Sequence, residues 1–141
     1  PDLIARKIRD SVAHFYASPD HVARVGPLDS NEDLHRATLL GFEQPAEMVE
    51  MLRKFLGLEL REDQFPIVTP NHLVQWELCK RGLGICMMME DVGAQEAGVV
   101  RVLSSLPSIP VPIWLVCHRE LRTSRRLRLV FDALAEGLAS R

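Results

Sequence analysis

The sequence predicts an α/β fold, and three observations carry that reading. Residues 65–89 read as a short strand, a capped helix, a glycine break and a nearly unbroken apolar run. A strand–helix–strand order of this kind gives a parallel pair through a right-handed crossover. Along the rest of the chain, short β-branched segments alternate with segments whose apolar residues recur at helical spacing. The helix boundaries are also punctuated. Ser18-Pro19 and Thr69-Pro70 each join an N-cap residue to a proline at the first helical position, while Gly26, Gly57 and Gly82 or Gly84 supply stops.

Taken in order, residues 3–8 are a strand candidate that Arg9-Asp10-Ser11 interrupts before a second extended segment at residues 12–17. Ser18 and Pro19 open a short helix through Val22 and Val25, which Gly26-Pro27 ends. Residues 30–35 make one helical turn with acids in its first turn, and residues 38–42 return to a strand. From Pro45 to Leu56, the residues Met48, Met51, Leu52, Phe55 and Leu56 form one apolar stripe of a helix that Gly57 stops. Ile67-Val68 is the next strand, Thr69 the N-cap and Pro70 the first helical residue. Leu73, Trp76, Cys79 and Leu83 share a helical face, and residues 83–89 suit a strand covered on both sides. Residues 90–98 read as a polar loop and residues 99–103 as a strand. Pro107, Pro110 and Pro112 mark an extended linker that is no central strand. Residues 113–118 read as a buried strand. Thr123 or Ser124 caps a last amphipathic helix with Leu127, Val130, Phe131, Leu134 and Leu138 on one face.

Bulk properties narrow the function. A chain of 141 residues makes one domain or two small lobes. The net charge of −2 supplies no basic field that would drive binding to nucleic acid or to an anionic membrane. Three cysteines without metal-type or redox spacing favour a reducing cytoplasm. No apolar stretch approaches the roughly 20 residues of a membrane span. No signal-peptide pattern opens the chain. Its start at Pro1-Asp2 rather than methionine predicts a segment of a longer polypeptide.

Chemistry-bearing motifs are sparse. Gly82-Leu83-Gly84 precedes a strand instead of following one, so it is helix termination and neither a dinucleotide fingerprint nor a phosphate loop. The five histidines (14, 21, 35, 72, 118) show no zinc spacing, and His72 and Cys79 sit two helical turns apart. Cys86 and Cys117 lie in apolar strands as small core residues. No nucleophile elbow occurs. Glu90-Asp91 reads as a solvated acidic pair. The arginines of the last helix share a face with Asp132 and pair charges on a surface. Met87-Met88-Met89 reads as core. No catalytic residue, metal or cofactor is expected. The start of the helix after Thr69 is first a cap, but its N–H groups and positive dipole end also suit a carboxylate.

Trp114-Leu-Val-Cys-His-Arg-Glu-Leu-Arg-Thr-Ser-Arg-Arg-Leu-Arg-Leu-Val-Phe-Asp-Ala-Leu134 resembles the C-terminal signature of LysR-type transcriptional regulators. There a strand like Trp-Leu-Val-x-His precedes Arg-x-Leu-Arg and a helix with Arg-x-Arg-x-Val-x-Asp-x-Leu. Leu3-Ile-Ala-Arg-Lys-Ile8 followed by Phe15-Tyr-Ala-Ser-Pro-Asp-His-Val-Ala-Arg-Val-Gly26 is similar to the family's mid-domain segment. Asn71 with Gly82-Leu-Gly-Ile85 is similar to its helix-then-Gly-x-Gly-Ile element. The resemblance implies a type II periplasmic-binding-protein-like lobe, with a mixed or parallel sheet flanked by helices, from an incomplete two-lobe domain. Residues 1–17 would be a crossover entering the second lobe and residues 18–112 that lobe. Residues 113–141 would be the returning crossover and a helix packing on the first lobe.

What the resemblance implies for function is an effector sensor and not an enzyme. A small, possibly anionic co-inducer would sit between the lobes, touching Ser11, Thr69, Asn71, Val116 and His118. The protein would be a cytoplasmic homodimer or homotetramer with no membrane contact. It would reach DNA only through an amino-terminal winged helix-turn-helix absent from these 141 residues. Two alternatives come from the residues themselves. One is a cysteine-dependent enzyme using Cys117 with His118 or His72, which needs an activated, exposed thiol. The other is a dimerisation module built on the apolar stripe of the last helix.

Overall fold

The computed structural model describes residues 2–119 and 124–139. In chain order they form β1 (Leu3–Ala17), α1 (Pro19–Val25), β2 (Leu40–Gly41), α2 (Pro45–Leu56), β3 (Ile67–Val68) and α3 (His72–Lys80). There follow β4 (Cys86–Met89), α4 (Glu90–Gly93), β5 (Val100–Val102), β6 (Ile109–His118) and α5 (Arg125–Ala139), with 3₁₀ turns at Asn31–Arg36 and Glu62–Gln64. The chain divides into two compact units, Ala13–Ile109 and the pair of segments Pro1–Val12 and Pro110–Arg141.

In the Ala13–Ile109 unit, the end of β1 is the middle strand, with β4 and β5 antiparallel on its two sides. Its residues 13–17 are all buried. Phe15 joins Leu28, Leu34, Leu39, Met48, Leu52, Leu58, Ile85 and Val102 in one core, and Tyr16 joins a second cluster with Leu40, Trp76, Cys79, Cys86 and Val99. Caps fall as the sequence predicts at α1 and α2. The Ser18 hydroxyl accepts from the His21 amide at 3.1 Å, Gly26 follows Val25, and Gly57 closes α2 in left-handed backbone. Two buried glutamines tie irregular segments together. Gln64 Nε2 donates to the Leu34 carbonyl at 2.6 Å and Gln75 Nε2 to the Leu40 carbonyl at 2.8 Å. His21 is buried with Nδ1 3.2 Å from the Gly82 carbonyl, and Arg24 donates to the same oxygen. Burial is the main cause holding the His21 imidazole below its ordinary pKa; the neighbouring Arg24 adds to it, against the Gly82 hydrogen bond.

The other unit pairs the first half of β1 with β6, extended by the Arg119 amide donating to the Asp2 carbonyl at 2.6 Å, and carries α5.

Several elements differ from the sequence reading. β1 is one strand of 15 residues through Arg9-Asp10-Ser11. Its first half is largely open to solvent, where charged side chains cost nothing and so mark no break. The cap of α3 is Asn71, not Thr69, so Pro70 lies outside the helix. α3 buries Gln75, Trp76 and Cys79, while Leu73 is 77% exposed and Leu83 45% exposed. β3 and β4 do not pair: β2 is parallel to β3, and Leu39 bridges in parallel to Ile85, while β4 turns away to run antiparallel to β1. A short helix, α4, stands where a loop was expected. Pro110 and Pro112 lie inside β6. Their spacing of two puts both missing donors on one edge, which β6 tolerates because it pairs β1 alone among the described residues. Residues 113–118 are not a buried strand, since Trp114 and Val116 are about half exposed and Cys117 only half-buried. Of the two expected caps for α5, Thr123 lies outside the described residues, and the Ser124 carbonyl accepts from Arg128 at 3.0 Å.

Candidate functional site

β2 and β3 run side by side, Leu40 opposite Ile67 and Gly41 opposite Val68. Both therefore end on the same side, and the chain passes from β3 into α3 within three residues. The carboxyl end of parallel strands beside a helix N-terminus is where open α/β sheets take small ligands. The Thr69 amide is fixed to that edge by donating to the Gly41 carbonyl at 2.9 Å. Thr69 Oγ1 accepts from the Asn71 amide at 3.2 Å, and Asn71 Oδ1 accepts from the amides of Leu73 at 3.0 Å and Val74 at 3.2 Å.

The cap thus engages two first-turn amides that the sequence offered to an anion. Thr69 Oγ1 and Asn71 Oδ1 spend acceptor capacity inside the loop, while the Thr69 O–H and the Asn71 side-chain NH2 are groups that can donate. Thr69 is half-buried and Asn71 exposed. Beside them the Phe42 and His72 rings pack at 5.4 Å, closing one flank with aromatic surface. Phe42 was not singled out for this loop from the sequence, because residue 42 becomes its neighbour only through the β2–β3 pairing.

Ser11, Val116 and His118 stand in the other unit, on β1 and β6. Val116 lines a cavity of about 480 Å³ bounded by β1, β6 and α5, with Ile4, Cys117, Leu127 and Phe131 as apolar wall and Arg6 and Arg128 as its cations. Ser11 and His118 line neither this cavity nor the open groove of about 330 Å³ on the outer face of α3 that contains Asn71, Leu73 and Val74. The structure therefore joins Thr69 to Asn71 directly, and places the other three within the unit formed by residues 1–12 and 110–141.

Of the pairs offered for an activated thiol, Cys117 with His118 lies within one unit. Cys117 and His118 are successive strand residues and point to opposite faces. Of His72 and Cys79, the two residues set two helical turns apart, Cys79 is fully buried while His72 is exposed. Among the described residues no group of three or more His, Cys, Asp or Glu side chains is placed to hold a metal ion. No described helix is long and apolar enough to cross a membrane.

Comparison with known proteins gives the fold a family. A model described as LysR substrate binding domain matches residues 1–139. No curated protein matches the chain by sequence. The regulatory domain of CrgA, a LysR-type transcriptional regulator from Neisseria meningitidis, is 23% identical with a TM-score of 0.78, over 97% of this chain and 69% of that one. Full-length AphB, a virulence activator of Vibrio cholerae and a member of the LTTR protein family, is 27% identical with a TM-score of 0.67, over 96% of this chain and 47% of that one. The effector domain of the transcriptional regulator AmpR of Pseudomonas aeruginosa is 20% identical with a TM-score of 0.71, over 99% of this chain and 65% of that one. The chain spans about half the length of the full-length regulators it matches. The architecture is the mixed α/β, periplasmic-binding-protein-like one of these domains.

Proposed function

This chain belongs to the family of LysR substrate-binding domains, and from that premise we propose that it senses a small-molecule effector for a transcriptional regulator. The observation that carries the reading is the Thr69–Asn71 loop, whose side-chain oxygens accept backbone amides within the loop and whose O–H and NH2 groups can donate to a ligand. Donors without a formal charge, beside a helix N-terminus, favour an acceptor-rich group such as a carboxylate. The effector is placed against Thr69 and Asn71 with Phe42 and His72 alongside. Ser11, Val116 and His118 are its further contacts, on the argument of the family resemblance.

In this reading residues 18–112 are the second lobe of a two-lobe sensor, and residues 1–17 and 113–141 the crossover segments with a helix that packs on the first lobe. On this reading a first lobe and a DNA-reading domain belong to the whole regulator. The assembly is a cytoplasmic homodimer or homotetramer, for which the exposed Leu73 and Val74 on α3 offer a surface. It is a sensor and not an enzyme. An effector shifts such an assembly only by its differential affinity for two arrangements.

Calorimetric titration of small monocarboxylates into the full chain tests the placement. Thr69→Ala and Asn71→Ala are each expected to weaken binding about tenfold, on the order of 1.4 kcal/mol. Asn71→Asp separates binding from folding, since it keeps a capping oxygen but replaces the outward donors with negative charge. It should leave the melting temperature close to wild type and abolish carboxylate binding. Unchanged affinity in all three variants would sink the placement.

A further inference from the structure

The cavity in the unit formed by residues 1–12 and 110–141 has a wall that mixes two chemistries. Strand alternation sets one side of it. Ile4 and Arg6 are two residues apart on β1, and Leu115 and Cys117 two apart on β6, so each pair stands on one face of its strand. The opposite side is α5, where Leu127, Phe131 and Leu134 recur at helical spacing and Arg128 stands beside them. α5 buries Ala135 alone among its described side chains, so its larger apolar groups line the space instead of filling it. The volume of about 480 Å³ falls within the roughly 300–1,000 Å³ of small-molecule sites.

The charges on this wall are unspent. Among the described residues, neither the Arg6 nor the Arg128 guanidinium has a hydrogen-bond or ion-pair partner. Asp132, one turn beyond Arg128, also lines the cavity and is likewise unpaired among the described residues. Two cations and one carboxylate leave a single positive charge in excess, against a wall that is otherwise mainly apolar. We propose that this cavity binds an amphipathic monocarboxylate, with its carboxylate on Arg6 and Arg128 and its hydrocarbon body against Ile4, Leu115, Phe131 and Leu134. A guanidinium matches a carboxylate with two parallel N–H groups, and its aliphatic stem lies along apolar surface without disturbing it. A cation meets the wrong sign of charge, and the second carboxylate of a dianion meets only hydrocarbon.

The site is separate from the Thr69–Asn71 loop, which belongs to the Ala13–Ile109 unit. The two select differently. The loop offers uncharged donors to a small carboxylate, whereas the cavity adds formal charge and an apolar wall that rewards each further methylene until the space is full. On the two-lobe reading, a ligand here lies against the α5 face on which the first lobe packs, so its occupancy biases how the lobes meet.

Cys117 reports occupancy, because it lines the cavity and is half-buried while Cys79 and Cys86 are fully enclosed. The native chain is labelled with N-ethylmaleimide in the presence and absence of octanoate, and the rate at Cys117 is followed by intact mass and peptide mapping. Octanoate at ten times its dissociation constant is expected to slow the labelling about tenfold by mass action. Acetate, octanedioate and octyltrimethylammonium at the same concentration should leave the rate near its free value. Arg6→Ala and Arg128→Ala should each raise the octanoate concentration needed by about tenfold, with the ligand-free rate unchanged. Asn71→Asp should protect as the wild type does. Labelling that octanoate does not slow, equal protection by acetate or octyltrimethylammonium, or unchanged protection in both arginine variants overturns the proposal. Loss of protection in Asn71→Asp places the carboxylate at the loop and overturns it as well. The ligand series on the wild type decides even where a variant does not fold, and a failed effector titration at Thr69–Asn71 leaves this result standing.

Discussion

Helices α2 and α5 carry the same kind of sequence and meet different surroundings. Each has apolar residues on one stripe and charged residues on the rest. α2 buries Met48 and Leu52 to 1% exposure in the core of the Ala13–Ile109 unit. α5, in the other unit, buries Ala135 alone among its described side chains, while Leu127, Val130 and Leu134 keep 41%, 55% and 48% of their surface. The stripe records which face seeks cover and is silent on what supplies it. For α2 the cover is the first strands and 3₁₀ turns of its own unit. The α5 face borders an apolar cavity, and we propose the first lobe of a two-lobe sensor as its cover.

The largest expected effect sits on the covered side of this comparison. Leu52→Ala removes a side chain that is fully enclosed, and it should destabilise the chain by about 3 kcal/mol in urea unfolding. A loss below about 1 kcal/mol would mean that α2 is no better covered than α5, and the contrast would fail. Gly93→Ala comes next and sharpens the account of the same unit from the opposite direction. An added Cβ at Gly93 collides with the Tyr16 ring, which Trp76 holds from the side. Overpacking of that order should cost about 2 kcal/mol. A variant with wild-type stability would show that the Tyr16 ring is free to move and the cluster around it loosely packed.

The legibility of the sequence follows the same division. α2 was readable to its ends because Pro45, the stripe and Gly57 agree with one another, and α1 because Ser18, Pro19 and Gly26 do. Even so, Phe55 on the expected stripe is 69% exposed, with the Lys54 ammonium 5.9 Å from its ring. Strands of the other unit were misread because solvent lies against them. Arg9-Asp10-Ser11 looked like a break in a strand assumed to be half-buried, and the alternation of β6 was hidden by apolar residues on its exposed face. Parallel pairing was foreseen for the strands around α3, but β2 takes the place beside β3, a long-range choice that local pattern does not encode. At the candidate site the residue types were legible and their roles were not. Thr69 and Asn71 both suit caps, and only the positions of the Leu73 and Val74 amides assign the cap to Asn71.

The smallest expected effect is on the open side, and it discriminates best. Leu134 is about half exposed, so truncation forfeits only part of the roughly 1.5–3 kcal/mol that full burial of such a side chain supplies. Leu134→Ala in the 141-residue chain should therefore cost less than about 1 kcal/mol, well under the Leu52→Ala loss. A cost equal to that of Leu52→Ala would show that the α5 face is covered in solution after all. Its source is then separable by mass action. Cover by a second copy makes the unfolding midpoint of the wild type rise with protein concentration, and Leu134→Ala removes that dependence. Cover from within the chain leaves the midpoint fixed at every concentration. With the small cost and no concentration dependence, α5 is an open face, and joining the chain to a first lobe should raise the cost of Leu134→Ala toward that of Leu52→Ala.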